Sequence, residues 1–141
     1  MYRCDVAEQP SETPLARKLG IRPGSRVRLV GAPDGFSVEG LPADVDLRAR
    51  GGGRFDVVVL FTARRAELRR RFASLARSLH PDGGLWVCWP KKASGRPTDL
   101  SFAEVQAIGL GAGLVDNKSA SIDPVFQGLR FVYRLRDRPP R

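Results

Sequence analysis

The sequence predicts an α/β domain, a three-layer sandwich on a mostly parallel sheet of about six strands. Three observations carry this. Phe55 to Trp89 joins two near-continuous apolar runs, Val57–Phe61 and Leu85–Trp89, through one amphipathic stretch. Runs of that kind are strands buried on both faces, and a parallel pair needs a long crossover, which is right-handed. Further on, Ser101-Phe102-Ala103-Glu104 opens another helix with capping-box spacing. Last, Leu129, Phe131, Tyr133 and Leu135 alternate with Arg130, Val132, Arg134 and Arg136. That period of two marks an antiparallel C-terminal edge strand with one wet, basic face.

The elements follow in order. Residues 1–12 read as a flexible tail, since Gln9-Pro10-Ser11-Glu12 offers no periodic apolar face. One domain spans 13–136. It opens with a helix of one to two turns, in which Thr13 caps, Pro14 takes the first helical position and Gly20 permits the left-handed stop. Pro23-Gly24 turns the chain into strand Arg26–Val30, which Gly31-Ala32-Pro33-Asp34-Gly35 ends. Phe36–Leu41 forms a short turn or half-helix, and Val45-Asp46-Leu47 a short strand closed by the flexible triple glycine 51–53. After Val57–Phe61, Thr62 caps the crossover helix. Its buried stripe is Leu68, Phe72, Leu75, Ala76 and Leu79, with Arg70 and Arg77 opposite and Arg69 and Arg71 on the flanks. His80 sits in its last turn, favourably placed at the helix dipole, and Pro81-Asp82-Gly83-Gly84 turns the chain into Leu85–Trp89. The helix after Ser101 carries Val105 and Ile108 and stops at Gly111 or Gly113. Strand Leu114–Ile122 follows, with Asp116-Asn117-Lys118 demanding a structural ion pair or a sheet-edge position. Residues 137–141 are a frayed basic tail.

Composition narrows the function. A chain of 141 residues with 42% hydrophobic residues forms one domain with a real core. Its apolar runs are far shorter than the ~20 residues that cross a bilayer. The N-terminus lacks the apolar block of a secretory signal, so a cytoplasmic location without a membrane partner is expected. Two cysteines make no disulfide framework, and Cys88 reads as a small core residue. With one histidine and no CxxC pair, no metal site is expected. The net charge of +9 favours anionic partners. Arg64, Arg65, Arg69, Arg70, Arg71 and Arg77 offer nucleic acid a basic helix, although a general preference for arginine over lysine gives the same balance without one.

The carboxyl ends of parallel strands lie along one rim, where ligands bind in open α/β sheets. That rim collects Gly31–Gly35, Thr62, Arg64, Lys91–Gly95 and the loop 122–128. An anion site is expected there. Lys91 and Lys92 supply charge, Ser94 and the Gly95 amide supply directional donors, and Asp99 precedes a helix N-terminus that favours anions. Trp86 and Trp89 read as packing, with Trp89 alternatively lining the pocket. The leading expectation is a non-catalytic or regulatory domain for an anionic small molecule. The alternatives are a nucleic-acid binder and a small transferase with Asp99 as base. No nucleophile–base pair stands at diagnostic spacing.

Two resemblances add to this. FDVVVL followed by a helix, PDGGLWVCW, a capped helix and two closing strands resemble the second half of the Rossmann-like class I methyltransferases. The resemblance implies a glycine-rich loop after the first strand that approaches S-adenosylmethionine, and an acidic residue that holds its ribose. Here Gly31-Ala32-Pro33-Asp34-Gly35 stands instead, where proline removes an amide and fixes φ. Asp44 or Asp46 is the acidic candidate. The expectation is therefore a degenerate methyltransferase-like fold, with no cofactor and no methyl transfer. TPLARKLGI, GAPDGF, DVVVLF, LHPDGGLWVCWPKKASG, TDL and GLVDNK resemble, over nearly the whole chain, the bacterial domain of unknown function 3052. That resemblance implies the same fold and transfers no catalytic role.

Overall fold

Valine-rich segments without room for solvent on either side become the central strands, and the structure builds outward from them. The computed structural model describes residues 13–138. Residues 1–12, Cys4 among them, and 139–141 lie outside the described residues. The order is α1 (Leu15–Leu19), β1 (Arg26–Val30), β2 (Asp46–Arg48), β3 (Phe55–Phe61), α2 (Arg65–Arg77), β4 (Leu79–Pro90), α3 (Phe102–Gly111), β5 (Leu114–Ser121) and β6 (Phe126–Tyr133). One six-stranded sheet runs β2-β1-β3-β4-β6-β5. β1 to β4 are mutually parallel, and β6 is antiparallel to both β4 and β5.

The antiparallel C-terminal strand is thus present at this side of the sheet, one place in from the outermost strand. Residue chemistry explains that order. Phe126, Gly128, Leu129, Phe131 and Val132 of β6 are buried, whereas Asn117, Lys118 and Ser119 of β5 are exposed. The expected wet, basic face contracts to Arg130, because Arg134 and Leu135 fall beyond the strand and Val132 is buried. Asp116-Asn117-Lys118 takes the edge position. Asp116 accepts from Gln106 at 3.2 Å, Asn117 accepts from Arg130, and Lys118 donates to the Lys18 carbonyl.

Two apolar clusters pack on opposite faces of the sheet. On one face α2 and α3 bring Leu68, Phe72, Leu75 and Val105 against Val58, Leu60, Leu85 and Phe131. The other face is covered thinly, by α1 with Ala16 and Leu19, by Val38, and by Ile122 beside Phe126. Trp86 joins this second cluster and donates its indole N–H to the Leu19 carbonyl at 3.0 Å.

Several helix ends differ from expectation. Thr13 does not cap α1. Pro14 is its N-cap residue without a side-chain bond, and the Glu39 carbonyl takes the Ala16 N–H instead. Gly20 ends α1 at φ 81°, as expected. Leu79 leaves the α2 stripe, because Ser78 closes the helix and Leu79 already pairs with Phe55 of β3. Pro81 to Gly84 therefore lie within a 12-residue β4 that absorbs a register irregularity, and His80 is a strand residue. The capping box at Ser101 is half made. Its hydroxyl accepts from the Glu104 N–H, while the Glu104 carboxylate turns away to Arg65.

Candidate functional site

The strand order reverses direction between β1 and β3, and the crevice outside such a switch point is where open α/β sheets bind ligands. A cleft of about 530 Å³ lies there. Gly31 and Pro33 after β1, Thr62 and Ala63 after β3, Arg64 and Glu67 of the α2 entry, and Arg96 with Pro97 line it, over Phe61 and Phe126. Phe61 stacks edge-on between Phe36 and Phe126, with centroids at 4.8 and 5.2 Å. Arg96 lies over the Phe126 ring at 5.9 Å.

Thr62 is the pivot of the cleft. It is 6% exposed, and its N–H is tied to the Cys88 carbonyl at 3.0 Å. Its hydroxyl donates to Glu67 Oε1 at 2.5 Å and accepts from the Arg64 N–H at 3.3 Å. The cap expected of Thr62 is thus indirect, since Arg64 is the N-cap residue and carries no side-chain bond of its own. Glu67 is oriented from both sides, with Arg71 at 4.0 Å. Among the described residues, Arg64 and Arg96 enter no ion pair. The cleft therefore holds two guanidinium groups without an ion-pair partner among the described residues, beside one oriented carboxylate.

Of the rim expected from sequence, Gly31, Pro33, Thr62, Arg64 and Phe126 line this cleft, whereas the proposed anion ligands Lys91, Lys92, Ser94, Gly95 and Asp99 are not among its lining residues. Asp99 accepts from the Arg65 N–H at 2.7 Å and donates its own N–H to the Ala63 carbonyl, which Thr98 Oγ1 also engages at 2.7 Å. It caps α2 from a distant loop. Ser94 Oγ donates to the Lys91 carbonyl at 2.7 Å and accepts from the Arg96 N–H. The Gly95 amide closes a 3-10 turn on the Lys92 carbonyl, with φ 73°. Ser94 and Gly95 thus shape the loop that presents Arg96. Lys91 Nζ donates to Ser121 Oγ at 2.6 Å, and Lys91 and Lys92 both border a neighbouring cleft. Arg64 was on the expected rim. Glu67 and Arg96 were not, because i+5 and loop contacts leave no periodic signal.

Cys88 is wholly buried, and desolvation pushes its thiol far up, with the Asp123 charge adding to the effect. It is a core residue, as expected. No His, Cys, Asp or Glu group able to hold a metal ion occurs among the described residues. No helix among them is long and apolar enough to cross a membrane.

No family model and no curated protein matches the sequence. Solved structures do match. Magnesium protoporphyrin IX methyltransferase from Synechocystis PCC 6803, solved with SAM bound, aligns over 79% of this chain and 71% of its own, with a TM-score of 0.55 and 16% identity. A TehB-like SAM-dependent methyltransferase from Corynebacterium glutamicum aligns over 85% and 87%, with a TM-score of 0.56 and 13% identity. The ribosomal protein L11 methylase from Lactobacillus delbrueckii aligns over 85% and 74%, also at 0.56 and 13%. The chain has the methyltransferase fold.

The residues present do not fit S-adenosylmethionine in the manner the resemblance implies. A Cβ on Gly31 would lie 2.8 Å from the Phe61 carbonyl oxygen, so this glycine serves the close approach of β3, and Pro33 two residues on lacks an amide to offer a ligand. Among the described elements no helix intervenes between β1 and β2, and with it goes the helix N-terminus that would face an anion. Asp46 opens β2 at the opposite rim and is held by Arg26 and Arg48, whose hydrogen bonds lower its pKa, the Arg48 bond most strongly. Asp44 is exposed in a turn at φ 61°.

Proposed function

We propose that this chain is a small transferase-type enzyme that holds an anionic substrate in the β1/β3 cleft. The observation that carries the reading is the pair of guanidinium groups, Arg64 and Arg96, that have no ion-pair partner among the described residues and line the switch-point cleft of a chain with the methyltransferase fold. Each donates in a fork that matches carboxylate or phosphate. Glu67, fixed by Thr62 and lining the same cleft as the two arginines, serves as the proton acceptor of the reaction. Membership of domain of unknown function 3052 is likewise our reading, and it rests on WPKKASG, TDL and VDNK.

A thermal-shift and calorimetric screen of nucleotides, phosphorylated metabolites and S-adenosylmethionine tests this. An anionic compound stabilises the protein, and Arg64→Gln with Arg96→Gln weakens it at least about 10-fold, the scale of one lost charge-assisted hydrogen bond. Glu67→Gln retains binding and loses turnover. A hit that survives the double arginine substitution sinks the assignment, and a tight S-adenosylmethionine complex refutes the poor fit. A second reading, a binding or regulatory domain without chemistry, is favoured by the absence, among the described elements, of a helix between β1 and β2. Binding without product in prolonged incubations selects it.

A further inference from the structure

On the face of the sheet that α2 and α3 cover, a second cleft opens at the carboxyl end of β4. β4, β6 and β5 pair there as Trp89↔Gln127 and Ser121↔Gln127, so these three residues share one side. They form part of the floor of this cleft of about 560 Å³. The size falls in the range of small-molecule sites. Its walls are of two kinds. Phe102, the first residue of α3, keeps 47% of its surface exposed, while Trp89 is buried to 2% beneath the trough. Opposite stand Lys91 and Lys92, which form no ion pair among the described residues.

Lys91 is held in place by backbone and side chain. The Lys91 N–H is bonded to the Val125 carbonyl at 2.7 Å, and its ammonium to Ser121 Oγ at 2.6 Å, which leaves two of its three donor hydrogens free. The 3-10 turn over Lys92–Ser94, closed by Gly95 in the left-handed region, sets Lys92 at the rim. The trough thus sets an exposed aromatic ring beside one anchored and one exposed ammonium group. A ring stacks on Phe102, and an acidic substituent meets the ammonium groups.

We propose that this trough is a second ligand site, distinct from the β1/β3 cleft, for a planar aromatic molecule carrying a carboxylate or phosphate. It does not depend on the transferase reading. The test is an NMR titration of the ¹⁵N-labelled chain with 2-naphthoate, adenosine monophosphate and inorganic phosphate. Both aromatic anions shift the amides of Phe102, Ser119 and Gln127 along saturating curves. Inorganic phosphate binds at least about 5-fold more weakly, the smaller end of what stacking contributes. A tighter fit of adenosine monophosphate identifies a nucleotide source, and a tighter fit of naphthoate an aromatic acid. Lys92→Gln weakens both by about 3-fold, the effect of one solvent-screened charge. Phe102→Ala abolishes their advantage over phosphate. Both substitutions are at exposed positions, and unchanged melting curves check that the fold survives. The proposal falls if shifts gather at Thr62, Arg64 and Arg96 instead, if phosphate alone binds as well as the aromatic anions, or if no shift saturates.

Discussion

At Gly109 two residue-level effects oppose each other. A glycine inside a helix normally costs about 1 kcal/mol relative to alanine, so Gly109→Ala in α3 should stabilise. A Cβ there, however, would stand 2.0 Å from Phe131 Cε1. Phe131 is wholly buried and wedged edge-on against Phe72, with centroids at 5.2 Å, so it has nowhere to go. Overpacking of this kind costs about 1–3 kcal/mol, and it outweighs the propensity gain. We expect Gly109→Ala to lower the denaturant midpoint with an unchanged m-value. A stabilised variant would mean that α3 lifts off β6 without penalty. Gly84 makes a related close approach, since a Cβ would meet the Arg130 guanidinium at 2.4 Å. Arg130 Nε is buried without a partner, and burial, then the Arg138 and Arg22 charges, lowers the pKa of the guanidinium. Neither close approach is legible in sequence, because a glycine looks the same whether it turns the chain or admits a neighbour.

Among the elements, those built on periodic burial were legible and those closed by side chains from elsewhere were not. The runs at Val57–Phe61 and Leu85–Trp89 and the stripe at Leu68, Phe72, Leu75 and Ala76 follow from local pattern. The α2 entry does not. Its first amide is satisfied by Asp99, 34 residues away in sequence, and Arg65 pairs with Glu104 at 2.6 Å. In sequence Asp99 reads as a rim residue and Glu104 as half of a local capping box; tertiary contacts engage both and fasten α2 and α3. Asp99→Ala should therefore destabilise by about 1 kcal/mol, as the loss of a helix cap does, and Asp99→Asn by less because the amide oxygen still accepts. Urea denaturation of both variants measures this. Equal effects would assign the loss to charge at the helix N-terminus rather than to the hydrogen bond. The Lys91-to-Gly95 loop was legible as a landmark on the rim. Its division of labour was not, since Ser94 and Gly95 spend their donors on the loop itself.

For the whole molecule, the net charge of +9 is distributed in a way that composition does not reveal. Arg26 is half-buried and binds Asp46, the Gly52 and Arg54 carbonyls and the Phe55 ring, and Arg28 holds the Ala49 carbonyl. These arginines close the glycine loop 51–53 over the sheet edge. On α2, Arg65 and Arg71 face Glu104 and Glu67, which leaves Arg69, Arg70 and Arg77 exposed on the helix beside Arg64 at its start. A nucleic-acid role for this helix is thus a proposal about three or four phosphate contacts, with no base-reading element beside them. Each such contact contributes roughly 0.9 to the slope of log affinity against log salt on duplex DNA. The expected result is sequence-independent binding at low salt. It weakens to a dissociation constant above about 10⁻⁶ M at physiological salt, as nonspecific binding does. Combining Arg69→Gln, Arg70→Gln and Arg77→Gln should lower the slope by about 3 in fluorescence-anisotropy titrations. A slope left unchanged would move any nucleic-acid surface off α2, and tight binding that persists at high salt would require recognition that phosphate contacts do not provide.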